Sequence, residues 1–214
     1  MSSFSSEALE FLHALNGNNS KEWFDANRKT YEREIKGPTK VFSEEMNAAL
    51  AELTGDALKA KIFRINRDVR FSKDKTPYNT HVHISWSPTD GAVKPGMMFG
   101  LGLDYLSLGC GVFEFDKQAI VRFRERVASS DGEKLQALLD EMGSSGIRLS
   151  EPDLKRVPSG FDKDHPHEML LRRKGIAAWI DFDGPEEATK SDIAERSVAA
   201  FRQVLPLFEW LKAV

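Results

Sequence analysis

The 214-residue sequence predicts an α+β fold, with helices towards both ends and an antiparallel sheet between them. Three observations predict it. Apolar residues recur at helical spacing through the first third, the period falls to two from about Lys61, and helical spacing returns after Asp116.

Ala8, Phe11, Leu12 and Leu15 give the first helix its apolar face, and Asn16-Gly17 marks its stop. Ser20 is placed to cap KEWFDANRKTYEREI, in which Trp23, Phe24, Tyr31 and Ile35 share a broad face. Gly37-Pro38 punctuates, and Pro38 suits the first turn of a third helix through Val41, Phe42, Met46, Ala49, Leu50 and Leu53. Strands are expected at about 61–66, 80–87, 97–103, 106–114 and 176–182. In the second, Thr80, Val82, Ile84 and Trp86 take one face while His81, His83 and Ser85 take the other. The third and fourth make a hairpin, opened by Pro95-Gly96 and turning near Asp104-Tyr105. Helices fit 116–129 and 132–142, and a last one runs from about Ser191 to Leu211, with a bend expected at Pro206. No repeat, low-complexity tract or linker divides the chain, so residues 1–214 read as a single domain.

A two-residue loop at 104–105 puts Gly100 opposite Gly109, Gly102 opposite Ser107, and Met98 opposite Gly111. One face of the hairpin is then mostly glycine, while Phe99, Leu101, Leu103, Leu106, Leu108 and Cys110 fill the other. Glycine inside a strand implies close approach by another group. A helix or aromatic ring packed there would account for it, and so would the floor of a ligand cleft.

Composition sets the bounds. Hydrophobic residues at 41% and charged residues at 29% belong to a globular chain, and a net charge of −3 gives no overall attraction to nucleic acid or acidic membranes. The single cysteine, Cys110, excludes an intrachain disulfide and a multi-cysteine zinc site; it reads as an inert core thiol. No apolar run approaches the roughly 18 residues of a membrane span. The N-terminus lacks the basic and apolar regions of a secretory signal, so a cytoplasmic location without membrane association is expected.

Charge is unevenly spread. Residues 59–83 hold seven Lys/Arg and two Asp, a net of +5, which leaves 23 basic against 31 acidic residues elsewhere, or −8. The centre of that segment is RINRDVRFSKDKTPYNT, residues 64–80. Arginine offers a rigid fork that grips carboxylate or phosphate, and clustered cations repel one another unless an anion is present. The pattern points to a phosphate or carboxylate of a small molecule, held by Arg64, Arg67, Arg70, Lys75 and Tyr78, with Asp68 and Asp74 orienting the cations. Two other readings stand beside it. The arginines pair internally with acidic helices or another subunit, or the segment binds nucleic acid, with Phe71, Tyr78 or Trp86 stacking on bases. The acidic remainder of the chain disfavours an extended nucleic-acid track.

His81 and His83, on one strand face beside this segment, are the candidates for acid–base work. They are also close enough to share a metal, and His165-Pro-His167-Glu168 is a second cluster, but no pattern links the two and none has the H-E-x-x-H spacing. No metal and no cofactor is therefore assigned. Nucleophile elbows and phosphate-binding glycine loops are absent, so catalysis stays open. Arg172-Arg173-Lys174 is a second basic patch, read as a solvated edge or as a closure over the same anion.

Arg64, then Arg67-Asp68-x-Arg70-Phe71, then Asp74-Lys75 and Tyr78, resembles the signature of the uncharacterised DUF2461-type family of bacteria and fungi. The chain length is similar too. The resemblance covers nearly the whole chain; it implies that this segment defines the family, and it implies no activity.

Overall fold

Two serines set the first helix starts in the computed structural model, which describes residues 4–214. The Ser5 hydroxyl accepts from the Ala8 N–H at 3.1 Å to begin α1 (Ser6–Gly17), and Ser20 accepts from Trp23 N–H at 3.2 Å to begin α2 (Lys21–Ala26). The expected second helix breaks at Asn27, whose side chain donates to the Trp23 carbonyl at 2.8 Å. Helical structure then resumes without interruption through α3 (Arg28–Thr30), a π-helical turn (Tyr31–Lys36) and α4 (Gly37–Thr54).

Pro38 takes the first turn of α4, as expected, but Gly37-Pro38 does not interrupt the helical run. Pro38 has no N–H to donate and its ring crowds the preceding turn. The π turn widens the helix there: Gly37 N–H donates to the carbonyl of Glu32, five residues back. The end of α4 follows the usual rule, with Gly55 at φ 71°.

Six strands follow: β1 (Leu58–Ile62), β2 (Val82–Pro88), β3 (Gly96–Leu101), β4 (Leu106–Val112), β5 (Arg148–Leu149) and β6 (Ile176–Asp181). They form an antiparallel sheet in the order β1-β2-β3-β4-β6-β5, so the fold is α+β as the sequence predicts. β1 lies earlier than the expected 61–66. Beyond Ile62 the chain still runs beside β2's leading segment, but through isolated bonds rather than a ladder, beginning with Phe63 N–H to the His83 carbonyl at 2.9 Å. β5, two residues long and paired through Arg148 with Trp179, is too short to leave a period in the sequence.

Gly102 N–H donates to the Tyr105 carbonyl at 2.9 Å, so the hairpin turns at Leu103-Asp104, one residue before the expected place. That shift moves every cross-strand partner by two residues and leaves each side chain on its face. The glycine face is covered by the chain's own rings. A Cβ at Gly102 would lie 2.0 Å from Cε1 of Tyr105, and one at Gly109 would lie 2.3 Å from Cε3 of Trp179.

The remaining helices are α5 (Ala119–Val127), α6 (Ser130–Ser144), α7 (Glu168–Leu171) and α8 (Ile193–Lys212), with Pro206 inside the last. The chain gathers into two units. The first comprises 1–86, 98–108 and 181–199, and the second comprises 87–97, 109–180 and 200–214. The first packs around Phe42, whose ring centroid lies 4.8 Å from that of Phe99 and 5.8 Å from that of Phe4. Phe123 centres the second, 4.7 Å from Phe115 and 5.9 Å from Trp210. Cys110 is a buried free thiol. Among the described residues no helix is long and apolar enough to cross a membrane.

Candidate functional site

The basic segment folds as an irregular hairpin arm within the first unit. Asn79 N–H donates to the Ile65 carbonyl at 2.7 Å and Arg67 N–H to the Pro77 carbonyl at 2.9 Å, with an antiparallel bridge between Asn66 and Tyr78. Asn19 fastens the arm: its side chain accepts from Tyr78 N–H at 3.1 Å and donates to the Tyr78 carbonyl at 2.9 Å. The Tyr78 ring is buried and stacks on Phe24, with centroids 4.1 Å apart.

Between the arm and the start of β2 lies a hollow of about 310 Å³, walled by Arg64, Arg67, Asp68, His81 and His83, with Phe63, Asn66 and Asn79 between them. Arginines three apart would alternate on a regular strand; the irregular arm lets Arg64 and Arg67 share this wall.

Arg67 is held from one side only. Its Nη1 donates to Asp74 at 2.6 Å, to the Thr76 carbonyl at 3.1 Å and to the Thr76 hydroxyl, whereas Nε and Nη2 make no hydrogen bond among the described residues. Thr76 N–H, the Arg67 guanidinium and the Thr76 hydroxyl hold the Asp74 carboxyl down at about 2. Arg64 differs: among the described residues its guanidinium forms no hydrogen bond and no ion pair closer than 4.0 Å. Its longer-range field, after the bonds from Arg70, helps depress the Asp68 carboxyl.

His81 and His83 stack with ring centroids 3.9 Å apart. Burial, then the neighbouring His81, lowers His83 to about 4; burial, then the positive charge of Arg67, also lowers His81. Both directions favour neutral imidazoles. His83 Nε2 lies 2.8 Å from the Tyr105 hydroxyl, whose own titration is raised by burial and then by Asp104, keeping it a neutral phenol.

Three expected anion ligands do not line this hollow. Arg70 is exposed and grips Asp68 through Nε at 2.9 Å and Nη2 at 2.6 Å, because two residues of separation suit a local fork. Lys75 donates to the Val69 carbonyl at 2.9 Å and so ties off its own loop. Tyr78 faces Phe24 instead. Of the two expected orienting carboxylates, Asp74 holds Arg67, while Asp68 holds Arg70 and also reaches the wall of the hollow. Of the rings considered for base stacking, Tyr78 and Trp86 are buried and Phe71 is exposed.

The other clusters belong to the second unit. His165 Nδ1 accepts from His167 N–H at 3.0 Å, and among the described residues no group of three or more His, Cys, Asp or Glu is arranged to hold a metal ion. Arg173 is buried against Ser150 and Arg172 donates to the Leu154 carbonyl at 2.7 Å, so these two arginines are not a solvated edge, while Lys174 is exposed. Sequence reasoning missed Asn19 and Tyr105. The clue for Tyr105 was its place at the hairpin turn beside two alternate glycines.

The family described as "Conserved hypothetical protein (DUF2461)" matches residues 7–210, nearly the whole chain. The chain belongs to the DUF2461 family. That membership spans both units, and the hollow lies inside the matched DUF2461 region. The family's description carries no reaction. No curated protein matches the chain.

Proposed function

We propose that this DUF2461 chain binds a small anion, a phosphate or carboxylate group, in the hollow formed by Arg64, Arg67, His81 and His83. The observation that carries the reading is Arg64. Among the described residues it is a cation with no counter-charge in contact, on the wall of a concave site, beside an Arg67 with unused donors. Two neutral imidazoles supply hydrogen bonds without further charge repulsion, and an incoming anion would favour their protonation. Proton transfer at His81 or His83 is the chemistry available for catalysis. Cytoplasmic residence belongs to the same proposal, supported by a buried Cys110 with no second cysteine to pair with.

The test is isothermal titration of inorganic phosphate into the wild type and Arg64→Ala. Loss of one charge-assisted donor pair corresponds to about 1.5–3 kcal/mol, so binding should weaken roughly 10- to 150-fold. Equal affinities would refute the assignment.

A further inference from the structure

A second hollow, of about 470 Å³, opens beside the first and shares Phe63, Arg64, Asn66 and His81 with it. Its wall is the π turn. Four of that turn's six residues, Tyr31, Glu32, Ile35 and Lys36, line it, facing Ile62, Phe63 and Ile65 from β1 and the arm. π turns interrupt the regular helical bond pattern and recur where a helix borders a binding site.

Three properties distinguish this groove from the first hollow. Apart from the shared Arg64, its rim cations are already matched: Lys36 donates to Glu32 at 3.0 Å, Arg28 to Asp25 at 2.5 Å, and Lys40 lies 3.8 Å from Glu44. Anion binding along the groove itself therefore has little to recruit. Its apolar lining is only partly covered, with Ile62 and Phe63 at 44% and 46% exposure, values that leave large aliphatic and aromatic surface in water. Thr39, 3% exposed on the wall, has a buried hydroxyl with no hydrogen-bond partner among the described residues.

We propose that the ligand is an amphipathic organic anion, its acidic head between Arg64 and Arg67 and its apolar body laid in the groove along the π turn. The volume lies within the ~300–1,000 Å³ of small-molecule sites. Arg64, common to both hollows and without a counter-charge in contact, places the head at their junction. The proposal rests on the anion reading of the first hollow and narrows it from any small anion to one with a hydrophobic body.

The test compares inorganic phosphate, butyl phosphate and octyl phosphate by calorimetry on the full chain, below the micelle concentration. Affinity should climb with chain length, octyl phosphate binding at least about tenfold tighter than inorganic phosphate, as burial of several methylenes requires. Ile62→Asn, on the groove and away from the anion hollow, should abolish the chain-length gain while inorganic phosphate binds as before. If octyl phosphate binds no tighter than inorganic phosphate, or the gain survives Ile62→Asn, the groove assignment is overturned and the anion reading stands. If none of the three binds, the anion reading fails and takes this inference with it.

Discussion

The Tyr105 hydroxyl lies 2.8 Å from Nε2 of His83, and the same ring fills the space that a side chain at Gly102 would need. A glycine on one strand thus seats the phenol that contacts a histidine in the hollow. Gly102→Ala should push the ring aside, cost about 1–3 kcal/mol through overpacking, and raise the His83 pKa towards its ordinary value by admitting water. Proton NMR titration of the imidazole C–H resonances checks the second effect; thermal denaturation checks the first.

His83 also sets a pH dependence. Its folded value of about 4 lies below the unfolded value of ~6.5, so between these the unfolded chain binds the extra proton. This histidine's contribution favours folding fully above pH ~6.5 and is lost as pH falls towards 4. After discounting for the partial exposure of the ring, the loss should be at most about 2 kcal/mol. His83→Gln should flatten that part of a stability-against-pH curve, measured by urea denaturation.

Anion binding should itself depend on pH. An anion beside His81 raises the imidazole's pKa from its depressed value, so complex formation takes up a proton and affinity rises as pH falls. Sulfate, which does not titrate in this range, is the suitable probe. Calorimetry at pH 5.5 and 7.5 should show tighter binding at the lower pH, and His81→Asn should lessen the difference.

Thr39→Val replaces a buried hydroxyl, without a partner among the described residues, with a methyl of similar size. The free protein should become more stable by about 1 kcal/mol, read from denaturant midpoints.

Much of the fold was legible because long periodic segments announce themselves. α1, the Ser20 cap and the alternation in β2 all have strong local signals. What was not legible was decided elsewhere in the chain. Pro38 looked like a helix boundary because the accommodating π turn depends on the residues before it. The place of the hairpin turn differed by one residue, a distinction that alternating glycines cannot encode. Within the site, charge density drew attention to Arg64 and Arg67, which line the hollow, but it could not show that Arg70 and Lys75 would satisfy their own loop. Those bonds depend on the path of an eight-residue tip, between Arg67 and Thr76, that has no periodicity to read.

The most direct test is the thermal midpoint of Arg64→Gln against the wild type, with and without millimolar inorganic phosphate. A cation with no partner among the described residues can be neutralised without penalty, so the free variant should melt at or above the wild-type midpoint. Phosphate should raise the wild-type midpoint by mass action and leave the variant unmoved. A variant that melts well below the wild type, together with a wild type indifferent to phosphate, would show that Arg64 serves the scaffold and that no guest completes it.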